Sequence, residues 1–181
     1  VKLPFKSNYI ININNPNDEY CFLWSIIAHL HPANNHVDRL NNYNKKEYIN
    51  EFNLEGDRTE GSRASLDLKY FQYTYDKIVK FCKDNKDLVE VNVFEINDKK
   101  QLTPIIVNHD NYINIGKYCN LLYYNGHYVL CKNLSPFIAN SDNQHFPCLN
   151  CMTSYRTQDA LDNHKKLCQD NETVNNTFPK E

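Results

Sequence analysis

Near residue 88 the hydrophobic pattern of this chain changes period, and that change constrains the fold more than any other feature. Before it, apolar residues recur at helical spacing. "CFLWSIIAHLHP" predicts a helix over residues 20–31, with Asp18 as its N-cap and Pro32 as its stop. Val37, Leu40, Tyr43 or Asn44, Tyr48 and Phe52 predict a second helix over residues 36–53, solvated on one side. "EGDRTEGSRAS" reads as a loop, after which Ser65 or Asp67 would cap a third helix, "LKYFQYTYDKIVKFCKDN". Beyond residue 88 the alternation of Val89, Val91 and Val93 takes over. "LVEVNVFEI", "TPIIVN", "YCNLLYYN" and "HYVLCKN" then read as four strands, mostly antiparallel. Helices first and sheet second is the α+β arrangement. Residues 1–20 read as polar and irregular.

Composition narrows the class. The chain has 181 residues, 41% of them hydrophobic, with 13 Tyr and 9 Phe, enough for one main domain with a sizeable core and a small appendage. A formal charge of −2 argues against a protein that coats phosphate backbones generically. No apolar run approaches transmembrane length, and the first residues lack signal-peptide features. The seven cysteines are odd in number and unevenly spaced, which points to metal binding and a reducing, intracellular compartment, cytoplasmic or nuclear. The expected organisation is a domain over residues 1–140, a zinc finger over 141–172 and a disordered tail over 173–181, in a monomer that touches no membrane.

The finger is the most specific motif. "CLNCMTSYRTQDALDNHKKLC" reads C-x2-C-x3-Tyr-x5-Leu-x2-His-x3-C, which assigns Cys148, Cys151, His164 and Cys168 as ligands of a structural Zn2+ ion. His164 and Cys168 are one helical turn apart, so both can face the ion. Tyr155 and Leu161 supply a minimal core. Burial alone cannot fold so small a unit; it needs about 10–16 kcal/mol of apparent metal-binding energy. Acidic Asp159 and Asp162 on the finger helix disfavour base reading, so a structural or protein-contact role is expected over nucleic-acid contact.

Cys21 stands where the polar "NNPNDEY" becomes apolar, at the expected start of the first helix. Taken alone it reads as a buried thiol packing as a small hydrophobe. A first-turn position would, however, favour a thiolate through free N–H groups and the helix dipole. Asn15, Asn17 and Asp18 precede it, and their turn offers donors for an oxyanion. His127 opens a strand just after an Asn-Gly turn, where a polar side chain suits a partner at a helix terminus. Cysteine on the first core helix and histidine at the start of a later strand is the papain-like order. Cys21 as nucleophile and His127 as general base are therefore the expected dyad, with Trp24 and Tyr128 lining a substrate groove.

"DEYCFLW" and "GHYVLC" resemble the nucleophile and histidine segments of ovarian-tumour-type deubiquitinases, within the papain-like clan. More closely, "CFLWSIIAHLHP", "VEVNVF", "HYVLCKNLS" and "HFPCLNC…H…C" resemble the region ahead of the family B DNA polymerase in Polinton/Maverick-type mobile elements and related virus-like insertions, over about residues 14–170. The resemblance to the deubiquitinases implies a papain-like fold and cleavage of isopeptide bonds after the C-terminal glycine of ubiquitin or a ubiquitin-like modifier, and the resemblance to the mobile-element region implies a mobile-element or viral origin. Ovarian-tumour-type enzymes usually carry Asn or Asp two residues after the histidine, and this chain has Val129 there. Asn133 and Asn125 are the candidates for the third residue, with Asp110 more distant. The competing expectation is an inactive papain-like domain whose finger binds nucleic acid or a replication polymerase.

Other constellations read as structural. His29 and His31 suit the end of a helix, and His109-Asp110 suits a surface turn. Tyr70, Tyr73 and Tyr75 are interleaved with Phe71, Ile78 and Phe81 and read as core more readily than as a base-stacking platform. Cys82, Cys119 and Cys131 lie in apolar stretches and read as inert thiols.

Overall fold

The computed structural model describes residues 2–16, 20–54, 75–107, 118–138, 145–149 and 151–168. Its organising element is helix α1 (Cys21–Leu30), in which residues 21–28 are all buried. A helix that is apolar all round must be covered on all sides. One side lies on a five-stranded sheet. The other is covered by Tyr43, Phe52 and helix α3 (Tyr75–Asp84), whose Ile78 and Phe81 join the same core. Phe22 links the layers, edge-on to Phe81 at 5.4 Å and to Tyr128 at 5.2 Å between ring centroids.

The sheet contains β1 (Ile10–Ile11), β2 (Glu90–Ile96), β3 (Leu102–Ile106), β4 (Tyr118–Tyr124) and β5 (His127–Cys131), in the order β1-β5-β4-β2-β3. The four expected strands form, and β1 was read from sequence as irregular. The β4–β5 hairpin turns through Asn125 and Gly126, at φ 47° and 77°. Positive φ at both central residues is the tight turn whose twist matches the strands. The sheet is mixed rather than purely antiparallel, because β2 and β4 pair in parallel, from Glu90↔Tyr118 to Glu95↔Tyr123. β3 already occupies the far edge of β2, so the returning chain adds β4 on the near edge.

Residues 36–53 do not form one helix. They make a 3-10 turn, Leu40–Asn42, and a short α2, Lys46–Ile49. Asn42 Nδ2 donates to the carbonyls of Asn35 and His36 at 3.1 and 2.8 Å, and His36 sits at φ 51°. Asparagine side chains that bind nearby carbonyls offer the backbone an alternative to a helix. Tyr43 and Phe52 still reach the core.

The outer face of the sheet carries a second cluster: Phe94, Ile96, Leu122, Val129, Cys131, Leu134 and Leu149. It is covered by Leu3, Phe5, α4 (Ser135–Ile138) and Met152. The chain just before the finger, read from sequence as a polar linker, is therefore packed structure as far as Ile138, and residues 139–144 lie outside the described residues. The C-terminal unit is a hairpin, β6 (Phe146–Pro147) with β7 (Ser154–Tyr155), followed by α5 (Gln158–Cys168). Asp18, Ser65, Asp67 and the 173–181 tail lie outside the described residues.

Candidate active site and metal centre

β1 pairs with β5 only as far as Ile11↔Leu130, which leaves the start of β5 without a strand neighbour on that side. Helix α1 takes the vacated place. The Tyr128 N–H donates to Cys21 Sγ at 3.4 Å, and Ser25 Oγ lies 3.4 Å from the Tyr128 carbonyl. Ser25 makes its shorter bond, 2.7 Å, to the Cys21 carbonyl one turn back. An α1 side chain thus accepts the Tyr128 N–H, as buried backbone requires, while Ser25, whose one proton goes to the Cys21 carbonyl, lies beside the Tyr128 carbonyl. Cys21 Sγ consequently rests against the peptide unit that joins His127 to Tyr128.

His127 is 5% exposed, and its Nε2 is 2.8 Å from Asn12 Oδ1. An amide oxygen only accepts, so Nε2 carries the proton and Nδ1 keeps its lone pair. Burial pushes the imidazole down to about 4, which makes it neutral near pH 7. Its hydrogen bond goes to Asn12 and not to Cys21. Along β5, His127 alternates with Tyr128, which joins the α1-side core, and shares its parity with Val129 and Cys131 of the outer cluster. Cys21, 7% exposed, approaches from the α1 side. The two side chains meet the same peptide unit at the end of the sheet.

The remaining predicted site residues are distributed differently. Asn133 Oδ1 accepts the Ser135 N–H at 3.0 Å and so starts α4 instead of orienting His127. Asn125 is committed to the hairpin turn at positive φ. Trp24 is 3% and Tyr128 5% exposed; Trp24 packs edge-on to Tyr20, and Tyr128 lies against Phe22 and Tyr123. Both belong to the buried cluster between α1 and the sheet. Asn15 is half-buried just before the turn. Asn17, Asp18, His109 and Asp110 lie outside the described residues.

Asn12 and Ser25 were missed by sequence reasoning. The signal for Asn12 was present in "IINI", where Ile11 and Ile13 alternate inward as in an edge strand, but the asparagine-rich context hid it.

Among the structural readings, His31 ends α1, with its Nε2 3.0 Å from a Glu51 carboxylate oxygen and its ring stacked on Tyr48 at 3.8 Å. Burial pushes Cys131 up to about 12 and Cys119 well above the usual thiol range, so both are poor nucleophiles. Cys82 Sγ lies 4.0 Å from the Val91 carbonyl. Tyr75 is 39% exposed and stands apart from the core expected for it; Tyr70, Phe71 and Tyr73 lie outside the described residues.

The donor atoms of Cys148, Cys151, His164 and Cys168 all lie within 4.8 Å of one another, so this Cys3His cluster can hold a metal ion. The hairpin supplies the first two, and α5 supplies the others from successive turns. Cys148 Sγ is 3.8 Å from Cys168 Sγ, and Cys151 Sγ is 3.2 Å from His164 Nε2. Leu161 and Tyr155 pack behind them. Partial burial raises the Cys151 thiol, but hydrogen bonds with Thr153, Cys148 and His164 outweigh it and bring it down to about 7.

No helix among the described residues is long and apolar enough to cross a membrane. Comparison with protein-family models, with curated proteins and with solved structures gives no match for this chain.

Proposed function

We propose that the chain is a papain-like thiol peptidase of mobile-element or viral origin, acting on the isopeptide bond after the C-terminal glycine of ubiquitin or a related modifier. The observation that carries this reading is that Cys21 and His127 flank one peptide unit at the start of β5, from the two faces of the sheet. Cys21 begins a buried helix with its sulfur on the His127–Tyr128 peptide unit, and Asn12 holds His127 Nε2 with the lone pair of the other ring nitrogen left unprotonated. Asn12 replaces Asn133 and Asn125 as the orienting residue.

In the reaction, His127 reaches round the end of β5 from the outer face, and its Nδ1 lone pair takes the Cys21 thiol proton as the sulfur attacks the glycine carbonyl carbon. N–H donors of the turn that includes Asn15 stabilise the oxyanion. The C–N bond breaks, His127 returns the proton to the departing lysine amine, and a thioester remains on Cys21. Water, deprotonated by His127, hydrolyses the thioester and restores the thiol. Asn12 keeps the ring in one tautomer throughout. Neutral His127 is the form that such a base requires.

The ion in the Cys3His cluster is proposed to be zinc. Tetrahedral zinc with Zn–S bonds of about 2.3 Å places two sulfurs about 3.8 Å apart, and the Cys148–Cys168 separation of 3.8 Å fits that edge.

A second reading is supported by the burial of both Cys21 and His127 and by the absence of a hydrogen bond between them. On it the domain is an inactive scaffold, and the finger serves as a binding module for nucleic acid or a polymerase. Labelling with ubiquitin bearing a C-terminal electrophile separates the two. The peptidase reading expects stoichiometric modification at Cys21, abolished in Cys21→Ala and nearly so in His127→Ala. Wild-type protein inert to this probe, to related modifiers and to simple peptide substrates would leave the scaffold reading standing.

A further inference from the structure

We infer that the metal-binding knuckle is also a clamp on the main sheet, so that metal loading governs how firmly the strand carrying His127 is held. The inference rests on the reading of Cys148, Cys151, His164 and Cys168 as a metal site and is independent of the peptidase reading.

The knuckle has two faces. Cys148 belongs to the small cluster with Leu161 and Cys168. The residue that follows it, Leu149, belongs to the outer cluster of the sheet with Phe94, Leu122, Val129 and Cys131. Met152, which follows Cys151, packs against that same cluster. Each knuckle cysteine thus joins the Cys3His cluster while its successor packs on the sheet.

The backbone ties that shape this turn among the described residues are local. Its strands are two residues long, too short to persist unaided. Met152 is held at φ 61° by its N–H bond to the Cys148 carbonyl at 2.7 Å, and the Cys148 N–H reaches the Thr153 carbonyl at 2.8 Å. A metal that pulls Cys148 and Cys151 together stabilises that geometry, and its loss releases it. One further tie, Ser135 Oγ donating to the His145 carbonyl at 3.0 Å, joins the hairpin to α4.

The face that the knuckle covers is the one to which His127 and Asn12 belong by alternation. Val129 and Cys131 follow His127 at two-residue steps, and Ile10, two before Asn12, packs against the same cluster. A loosened knuckle therefore uncovers β5 on the side of the His127–Asn12 pair.

The test uses the full chain, first assayed for bound zinc by metal analysis. Amide hydrogen exchange over β5 and peptide-mapped alkylation of Cys131 are then compared between loaded protein, chelated protein, and Leu149→Ser with all four ligands intact. Met152→Ser serves as a second variant should Leu149→Ser fail to fold. Chelation is expected to speed β5 exchange at least tenfold and to make Cys131, 2% exposed in this structure, reactive. The Leu149 variant is expected to keep one zinc per chain and show the same rise. Unchanged β5 exchange and Cys131 labelling after chelation overturn the clamp, as does a chelation effect that neither variant reproduces. Purified protein without zinc instead overturns the metal reading beneath it.

Discussion

His127 predicts a pH dependence of stability that can be worked through from its burial. The ring titrates at about 4 in the folded chain and near 6.5 when unfolded. Because the folded value is the lower one, the unfolded chain binds more protons between those limits, and stability falls as pH drops through that window. The slope approaches about 1.4 kcal/mol per pH unit, and the full loss below pH 4 is bounded at about 3 kcal/mol. The same linkage gives a loss of about 0.8 kcal/mol at pH 6 and about 2 kcal/mol at pH 5, relative to pH 8. Urea unfolding of wild type and His127→Gln at these pH values isolates this contribution, because carboxylates and metal ligands titrate alike in both proteins. The stability advantage of wild type should shrink by those amounts between pH 8 and 5. The His127 ring proton resonance should titrate with a midpoint near 4. Parallel curves for the two proteins, or a midpoint near 6.5, would refute the argument that the ring is buried, neutral and held by Asn12.

The other predictions concern the same elements. Asn12→Ala should raise the His127 midpoint toward 6.5 as water gains access, and should lower kcat by about 10²-fold or less, under the 10²–10⁴ that a positioned base contributes; an unmoved midpoint would deny Asn12 its orienting role. Cys148→Ser or His164→Ala should reduce bound zinc from one equivalent to near none, as read by metal analysis, with melting of α5 in circular dichroism. Phe22→Ala removes a fully buried ring that joins α1 to α3 and β5, and should cost about 3–5 kcal/mol in urea unfolding. Gly126→Ala meets no atom within 4 Å of the added methyl, so its cost, about 1–2 kcal/mol, should come from φ 77° alone.

Local physics was legible in the chain. Helix α1 could be read because its apolar residues are continuous and end at Pro32, and the four strands after residue 88 because alternation and Asn-Gly chemistry act over a few residues. The Cys3His cluster was legible for the same reason: a knuckle and one helical turn bring its donors together with little help from the rest of the fold. Residues 36–53 misled because helical spacing of Tyr43, Tyr48 and Phe52 is equally satisfied by two short turns once Asn42 binds two local carbonyls. Tertiary structure alone decided the rest. Alternation is identical in parallel and antiparallel strands, so the β2–β4 pairing depended on which edge of β2 was still open. The partner of His127 depended on β1, at the other end of the chain, docking beside β5. Whether Trp24 and Tyr128 face a groove or a core depended on what packs over them, and whether the finger stands apart depended on where Leu149 finds apolar surface. These are contacts between residues distant in sequence, and no periodicity or spacing encodes them.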